Sequence, residues 1–162
     1  MELKIIDIKE NKANELFASV DCQKIISIYE DYYQKIGYNL PWVGYFVLRE
    51  NQIVGCCSFT GQPKDDKVEI ANYTFKEFEG QGIASFSCKE LIPIANQTDP
   101  TVIITAKTAP ESSASTKILH NFGFRFSGIV QDEEIGDAWL WILDTGKTVG
   151  VDQYKPELID LQ

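Results

Sequence analysis

Histidine occurs once in this chain, methionine once, and the four cysteines form no Cys-x-x-Cys pair. No second histidine, cysteine or carboxylate cluster stands at ligand spacing around His120, so the sequence carries no metal-site pattern. Cys56 and Cys57 are neighbours and would point to opposite faces of a strand, which suits neither a disulfide nor a metal pair. With Cys22 and Cys88 they read as reduced, packed thiols. Long apolar runs are missing as well. Nothing approaches the roughly 20 residues needed to cross a bilayer, and the opening MELKIIDIKENKA has no signal-peptide pattern. The expectation is a cytoplasmic protein without membrane contact. Basic residues are scarce, 15 Lys and Arg against 24 Asp and Glu, giving a net charge of −9. General nucleic-acid binding, which rests on a Lys- and Arg-rich face, is therefore not expected. An acidic surface favours cationic or amine-bearing partners.

What is present suits one domain over residues 1–162, since this length buries a real core and is too short for two. Residues 3–8 alternate apolar with charged and read as a first strand, followed by a polar turn or short helix over 11–17. Asp21 precedes an amphipathic helix with Ile25, Ile28, Tyr29, Tyr32 and Ile36 on one stripe, ending at Gly37. An aromatic loop over 38–42 follows. It reads equally as the edge of the core or as the wall of a substrate pocket. Two β-rich runs, 44–49 and 53–59, are joined as a hairpin, and a polar loop returns the chain to a strand over 68–75. A helix opens at Ile83, with Ile83, Phe86, Leu91 and Ile94 inward and Pro93 forcing a kink or an end. Residues 102–105 are a short apolar strand of the buried kind, expected parallel to the 68–75 strand through the helical crossover. Another helix is expected to start over 109–112, with Ala114, Ile118 and Leu119 inward, and to stop at Gly123. Residues 124–130 and 138–143 close the pattern as a hairpin. Residues 145–162 read as a possible C-terminal extension.

The stretch EIANYTFKEFEGQGIAS organises the rest. It places Gly80-Gln81-Gly82 between a strand and a helix start. Two glycines there leave main-chain N–H groups uncovered where the helix dipole is positive, which makes a seat for a phosphate or pyrophosphate. Glycines also serve any tight turn, so the spacing by itself is a weak signal.

Two segments together resemble the GNAT N-acetyltransferase superfamily. EIANYTFKEFEGQGIAS is similar to that family's strand followed by its Arg/Gln-x-x-Gly-x-Gly/Ala loop, and APESSASTKILHNFGF is similar to its Pro-Glu-Asn-x-x-Ser…Leu-x-x-x-Gly-Phe helix. The second pattern and the closing hairpin with Trp139 and Trp141 lean towards the subgroup of ribosomal-protein N-terminal acetyltransferases. The resemblance implies an α/β (α+β) fold: a single domain with a central mixed, mostly antiparallel sheet of six or seven strands. Helices cover both faces, and the two parallel strands splay apart at the cofactor site. It implies acetyl-CoA as co-substrate, an amine of a small molecule or a peptide N-terminus as acceptor, and no metal, and it allows a homodimer. The alternative within the same fold is an inactive acyl-CoA-binding or sensing module.

On the same resemblance, the main chain of Gly80, Gln81, Gly82, Ile83, Ala84 and Ser85 would hold the pyrophosphate. Asn72, Tyr73, Thr74 and Phe75 would pair with the pantetheine arm, and Ser112 would add a side-chain contact. Glu69 is the candidate base, weighed against a strand carboxylate with no role. Ser115 is the candidate donor to the thiolate, weighed against a hydroxyl bonded to its own helix. The sequence departs from the family at three positions. Glu79 stands where Arg or Gln is usual, Ser112 where Asn is common, and Leu119 where many members carry an acidic tyrosine. His120 reads as a cation favoured near a helix C-terminus.

Overall fold

Turns and caps written into the chain decide where each element begins. In the computed structural model, which describes residues 1–144, Asp7 accepts from the Glu10 N–H and so starts α1 (Ile8–Lys12). The first strand, β1 (Glu2–Ile5), consequently stops short of the expected residue 8. A 3-10 turn (Glu15–Phe17) leads to Ser19, which accepts from Cys22 N–H and caps α2 (Val20–Ile36). Gly37 ends α2 at φ +82°, a left-handed angle that favours glycine. Then come β2 (Gly44–Arg49), β3 (Gln52–Phe59), β4 (Lys67–Thr74), α3 (Ile83–Thr98), β5 (Ile103–Thr108), α4 (Ala114–Asn121), β6 (Arg125–Asp132) and β7 (Gly136–Asp144). The extension expected over 145–162 lies outside the described residues.

The strands form one seven-stranded sheet in the order β1-β2-β3-β4-β5-β7-β6. Only β4 and β5 pair in parallel, joined by α3 as crossover; every other neighbour is antiparallel. Alternation along the central strands feeds two cores. One face holds Ile6, Phe17, Cys22, Ile26, Tyr29, Phe46 and Phe75 under α1 and α2. The other holds Val47, Phe59, Val68, Ile83, Leu91, Ile104 and Leu119 under α3 and α4. Cys56 belongs to the first core and Cys57 to the second, as their adjacency implies. All four cysteines are buried and free, and burial raises the Cys88 thiol to about 11.

Three expectations need correction. On α2 the buried stripe is Cys22, Ile25, Ile26 and Tyr29, while Ile28 is 58% exposed. The helix is set by Tyr29 and Tyr33 approaching β2 closely. The Tyr33 hydroxyl donates to Ile6 O and accepts from Gly44 N–H, both at 3.0 Å. That anchoring turns Ile28 outward. Of the kink or end expected at Pro93, the end does not occur, since α3 runs to Thr98. The final helix starts at Ala114 instead of 109–112. Ser113 accepts from Thr116 N–H while the Thr116 hydroxyl accepts from Ser113 N–H, a reciprocal cap that fixes the start. Ala114 is therefore exposed and Thr116 buried.

Gly44 leaves no room for a side chain, because a Cβ there would lie 2.4 Å from Tyr29 Cε1. Gly44→Ala should lower stability by about 1–3 kcal/mol through overpacking between α2 and the sheet. A urea denaturation midpoint equal to that of the parent would show that the tyrosine ring yields freely.

Candidate functional site

The parallel pair comes apart in its middle. β4 and β5 are in register from Lys67–Ile103 to Ile70–Ala106, and there the pairing stops, although β4 continues to Thr74 and β5 to Thr108. Beyond the fork, β4 keeps its other partner, β3, as far as Thr74–Gly55. Glu69 O accepts from Thr60 N–H, and Phe75 N–H donates to Val54 O, so the odd-numbered residues of β4 direct their main-chain groups to β3. By alternation, the main-chain groups of Asn72 and Thr74 face the open fork. Those of Tyr73 and Phe75 do not, and the Phe75 side chain is buried in the core. Of the four residues assigned to a pantetheine arm, two are presented to it.

On the α3 and α4 face, the fork opens into a cleft of about 130 Å³ lined by Ile70, Asn72, Ala84, Cys88, Ser115 and Leu119, among others. Ser115 is thus brought to the fork, and its hydroxyl makes no hydrogen bond to its own helix. Leu119, buried at 5% exposure, supplies an apolar wall where the family commonly has a phenol. Ser112 sits exposed in the loop before the cap and is not part of this cleft.

The start of α3 differs from those of the other three helices. Asp7, Ser19 and Ser113 cap α1, α2 and α4 with their side chains, whereas Gly82 gives α3 no side-chain cap. Gly80 and Gly82 have φ of +75° and +82°, and a Cβ on either would meet nothing within 4 Å. The first-turn N–H groups therefore end in open space, a cradle shaped for an anion. Gln81 is held nearby, its side-chain amide donating to Glu77 O at 3.4 Å. Glu79 is exposed. These features suit an anion, toward which the main-chain N–H groups of Ile83, Ala84 and Ser85 could donate.

On the α2 face, the same fork opens into a larger pocket of about 840 Å³. Its walls include Ile28, Tyr32, Glu69, Asn72, Lys107 and the turn at 132–135. Ile70, Ala71, Asn72 and Lys107 line both openings, so the fork is where the two meet. Lys107 stands between two carboxylates, 3.3 Å from Glu69 Oε1 and 3.4 Å from Asp132 Oδ2. Burial works against its charge, but Glu69 and Asp132 outweigh it, and the ammonium titrates above the usual lysine value. The Asp132 carboxyl is held below its ordinary range, first by the Glu134 N–H at 2.9 Å, then by Ile135 N–H and Lys107. Tyr32 donates to Thr60 O at 3.2 Å, and burial, with the charges of Glu69 and Glu134, raises the phenol above its ordinary value.

Sequence reasoning missed Lys107 and Asp132. The expected strand ended at 105, two residues short of Lys107, because the charged side chain broke the apolar run. Placing Lys107 beside Glu69 required the parallel register. His120, in the last turn of α4, is part of neither opening. Among the described residues there is no group of three or more His, Cys, Asp or Glu able to hold a metal, and no helix long and apolar enough to cross a membrane.

The family model described as acetyltransferase (GNAT) domain matches residues 9–125. No curated protein sequence matches the chain. Among solved structures, a ribosomal L7/L12 alpha-N-protein acetyltransferase, RimL, in complex with coenzyme A superposes with TM-score 0.66 at 18% identity, covering 89% of this chain and 93% of that one. A ribosomal-protein-alanine N-acetyltransferase from Brucella melitensis gives 0.64 at 17%, covering 89% and 99%. The putative acetyltransferase yncA from Salmonella typhimurium, with its cofactor acetyl-CoA, gives 0.62 at 17%, covering 92% and 95%. At these identities the likeness concerns the fold.

A depressed carboxyl contributes stability that is present above its unfolded pKa, about 3.9 for Asp, and is lost as pH falls through the folded value. Asp132→Asn should therefore flatten the acid side of a melting-temperature profile taken from pH 7 to pH 2. An unchanged acid slope would show that the 132–135 turn does not depend on this charge.

Proposed function

The chain belongs to the acetyltransferase (GNAT) domain family, and from that premise we propose that it moves an acetyl group from acetyl-CoA to a primary amine of a small molecule or of a peptide N-terminus. The observation that carries this reading is the fork past Ile70–Ala106. It joins an uncapped helix start and narrow cleft on one face to a roomy acid-lined pocket on the other. An acyl donor entering from the α3 side meets an acceptor entering from the α2 side.

Acetyl-CoA supplies an acetyl group already activated as a thioester. The protein's part is to position, to polarise and to move protons. The N–H groups at the start of α3 bind the diphosphate, and Gly80 and Gly82 let it come close. The Asn72 and Thr74 main chain receives the amide-bearing arm in the manner of an added strand. One of these N–H groups also polarises the reacting carbonyl. Glu69, directly or through a water, accepts the proton that the amine gives up as its new C–N bond forms and the C–S bond breaks. Ser115, at the cleft, returns a proton to the departing sulfur. Lys107, 3.3 Å from Glu69 Oε1, holds the carboxylate in place. A cytoplasmic location and a homodimer accompany this reading on the family resemblance.

One observation favours a second reading, a module that binds acyl-CoA without turnover. Leu119 gives the cleft an apolar wall where many family members carry the phenol that acts as general acid. Thiol release with an amine panel separates the two.

Titration with acetyl-CoA should show saturable binding in the micromolar range, and no heat at millimolar ligand would dismiss both readings. Glu69→Gln should lower kcat by roughly 10²-fold with a smaller change in KM, the usual size for a lost general base. If its rate and pH dependence equalled the parent's, Glu69 would leave the mechanism. Ser115→Ala should slow turnover while cofactor affinity holds; full turnover would remove the proton-donor role.

A further inference from the structure

Charge is unevenly placed around Glu69. The acceptor pocket carries Glu69, Asp132, Glu133 and Glu134 against the one cation Lys107. Beside it lies a second cavity of about 610 Å³, lined by Lys35, Lys64 and Lys67, in which Glu69 is the sole carboxylate. The two cavities share Thr60 and Glu69. In a chain of net charge −9, a hollow lined by three exposed lysines and one carboxylate is a local reversal of sign.

The turn that makes this hollow is specific. Lys64 N–H donates to Lys67 O at 2.8 Å, and Lys67 N–H to Lys64 O at 3.0 Å, closing a two-residue turn over Asp65 and Asp66. Both aspartates take positive φ, +52° and +62°. A doubly hydrogen-bonded antiparallel pair sends its two side chains to one face, so Lys64 and Lys67 stand side by side there. Like charges in that relation repel. Asp65 and Asp66 do not relieve them. The ion pairs recorded among the described residues are Lys12–Glu30 and those of Lys107 with Glu69 and Asp132, and neither turn aspartate lines the cavity. Lys35, from the last turn of α2, adds a third positive charge from across the hollow. Lysines serving solubility alone gain nothing from such crowding.

We propose that this cavity is an anion subsite, and that the preferred acceptor is an amine that also bears a carboxylate. The amine lies by Glu69 in the acid-lined pocket; the carboxylate lies against Lys35, Lys64 and Lys67. Two sources share that chemistry: a free amino acid, and a peptide N-terminus followed closely by an acidic side chain. The inference rests on the acetyltransferase reading, because only that reading makes the adjoining pocket an acceptor site.

The test uses the full chain with acetyl-CoA and two matched acceptor pairs. One pair is an amino acid and its carboxamide; the other is an N-terminal peptide with Glu as its second residue and the same peptide with Gln. In at least one pair, kcat/KM should favour the carboxylate roughly tenfold, the size that two or three exposed charge pairs together supply. The pair showing the preference identifies the source. The preference should narrow with added salt. It should fall to near one or invert in the Lys64→Glu/Lys67→Glu variant, and shrink in Lys64→Gln/Lys67→Gln, which keeps the turn free of new charge. Equal use of both members by the parent, or a tenfold preference surviving charge reversal, would overturn the subsite. So would the absence of turnover with every carboxylate-bearing member. In that last case acetyl-CoA titration on the same preparation decides separately whether the acetyltransferase reading fails with it.

Discussion

The molecule depends on a hydrogen-bond ladder that is left unfinished. Between β4 and β5 the parallel pairing ends at Ile70–Ala106 while both strands run on. Main-chain groups at a sheet interior normally find partners, and leaving them open has to be compensated elsewhere. Here each strand keeps its outer neighbour past the fork, β3 for β4 and β7 for β5. The Trp141 indole N–H further ties β7 to β5 by donating to Thr108 Oγ1 at 3.0 Å. Each half of the sheet is held by its own antiparallel partner, so the gap survives without help from the missing bonds.

That gap also opens onto two unlike faces. Above it, α3 begins without a side-chain cap, so its dipole and first N–H groups remain available to an anion. Below it, the 132–135 turn and α2 rim a pocket wide enough for an acceptor. Lys107 stands at the junction. Its bonds of 3.3 and 3.4 Å to Glu69 and Asp132 are longer than those of a tight ion pair. The bridge links β4 to the last hairpin across the opening, and it leaves room for a competing ammonium.

Charge acts here at two ranges. The overall −9 sets a general preference for cations, screened within about 10 Å at ordinary salt. Within that range the local arrangement governs, and it runs from the acidic turn at 132–135 through Glu69 to the lysines of the 64–67 turn. Composition reports the first and is blind to the second.

Much of the fold was legible along the chain because it follows from local physics. Period-two alternation gave the strands, the Gly80 and Gly82 spacing gave the start of α3, and the apolar run after Val102 gave the parallel crossover. These depend on which groups an element must bury or leave bare within a few residues. One error lies where a distant partner outvoted the local pattern, Ile28 turning outward because Tyr33 is pinned to Ile6 and Gly44; the other is local, the start of α4 being moved to Ala114 by the reciprocal bond of Ser113 and Thr116. The site divides in the same way. The sequence by itself determined the uncapped start of α3, since Gly80, Gly82 and the helix they open are contiguous. Only the tertiary structure decided that Lys107, Glu69 and Asp132 share one charge network, and that Lys35 joins Lys64 and Lys67. Those groups come from strands and helices far apart in the chain, and electrostatic interaction depends on separation in space, which a linear sequence does not record.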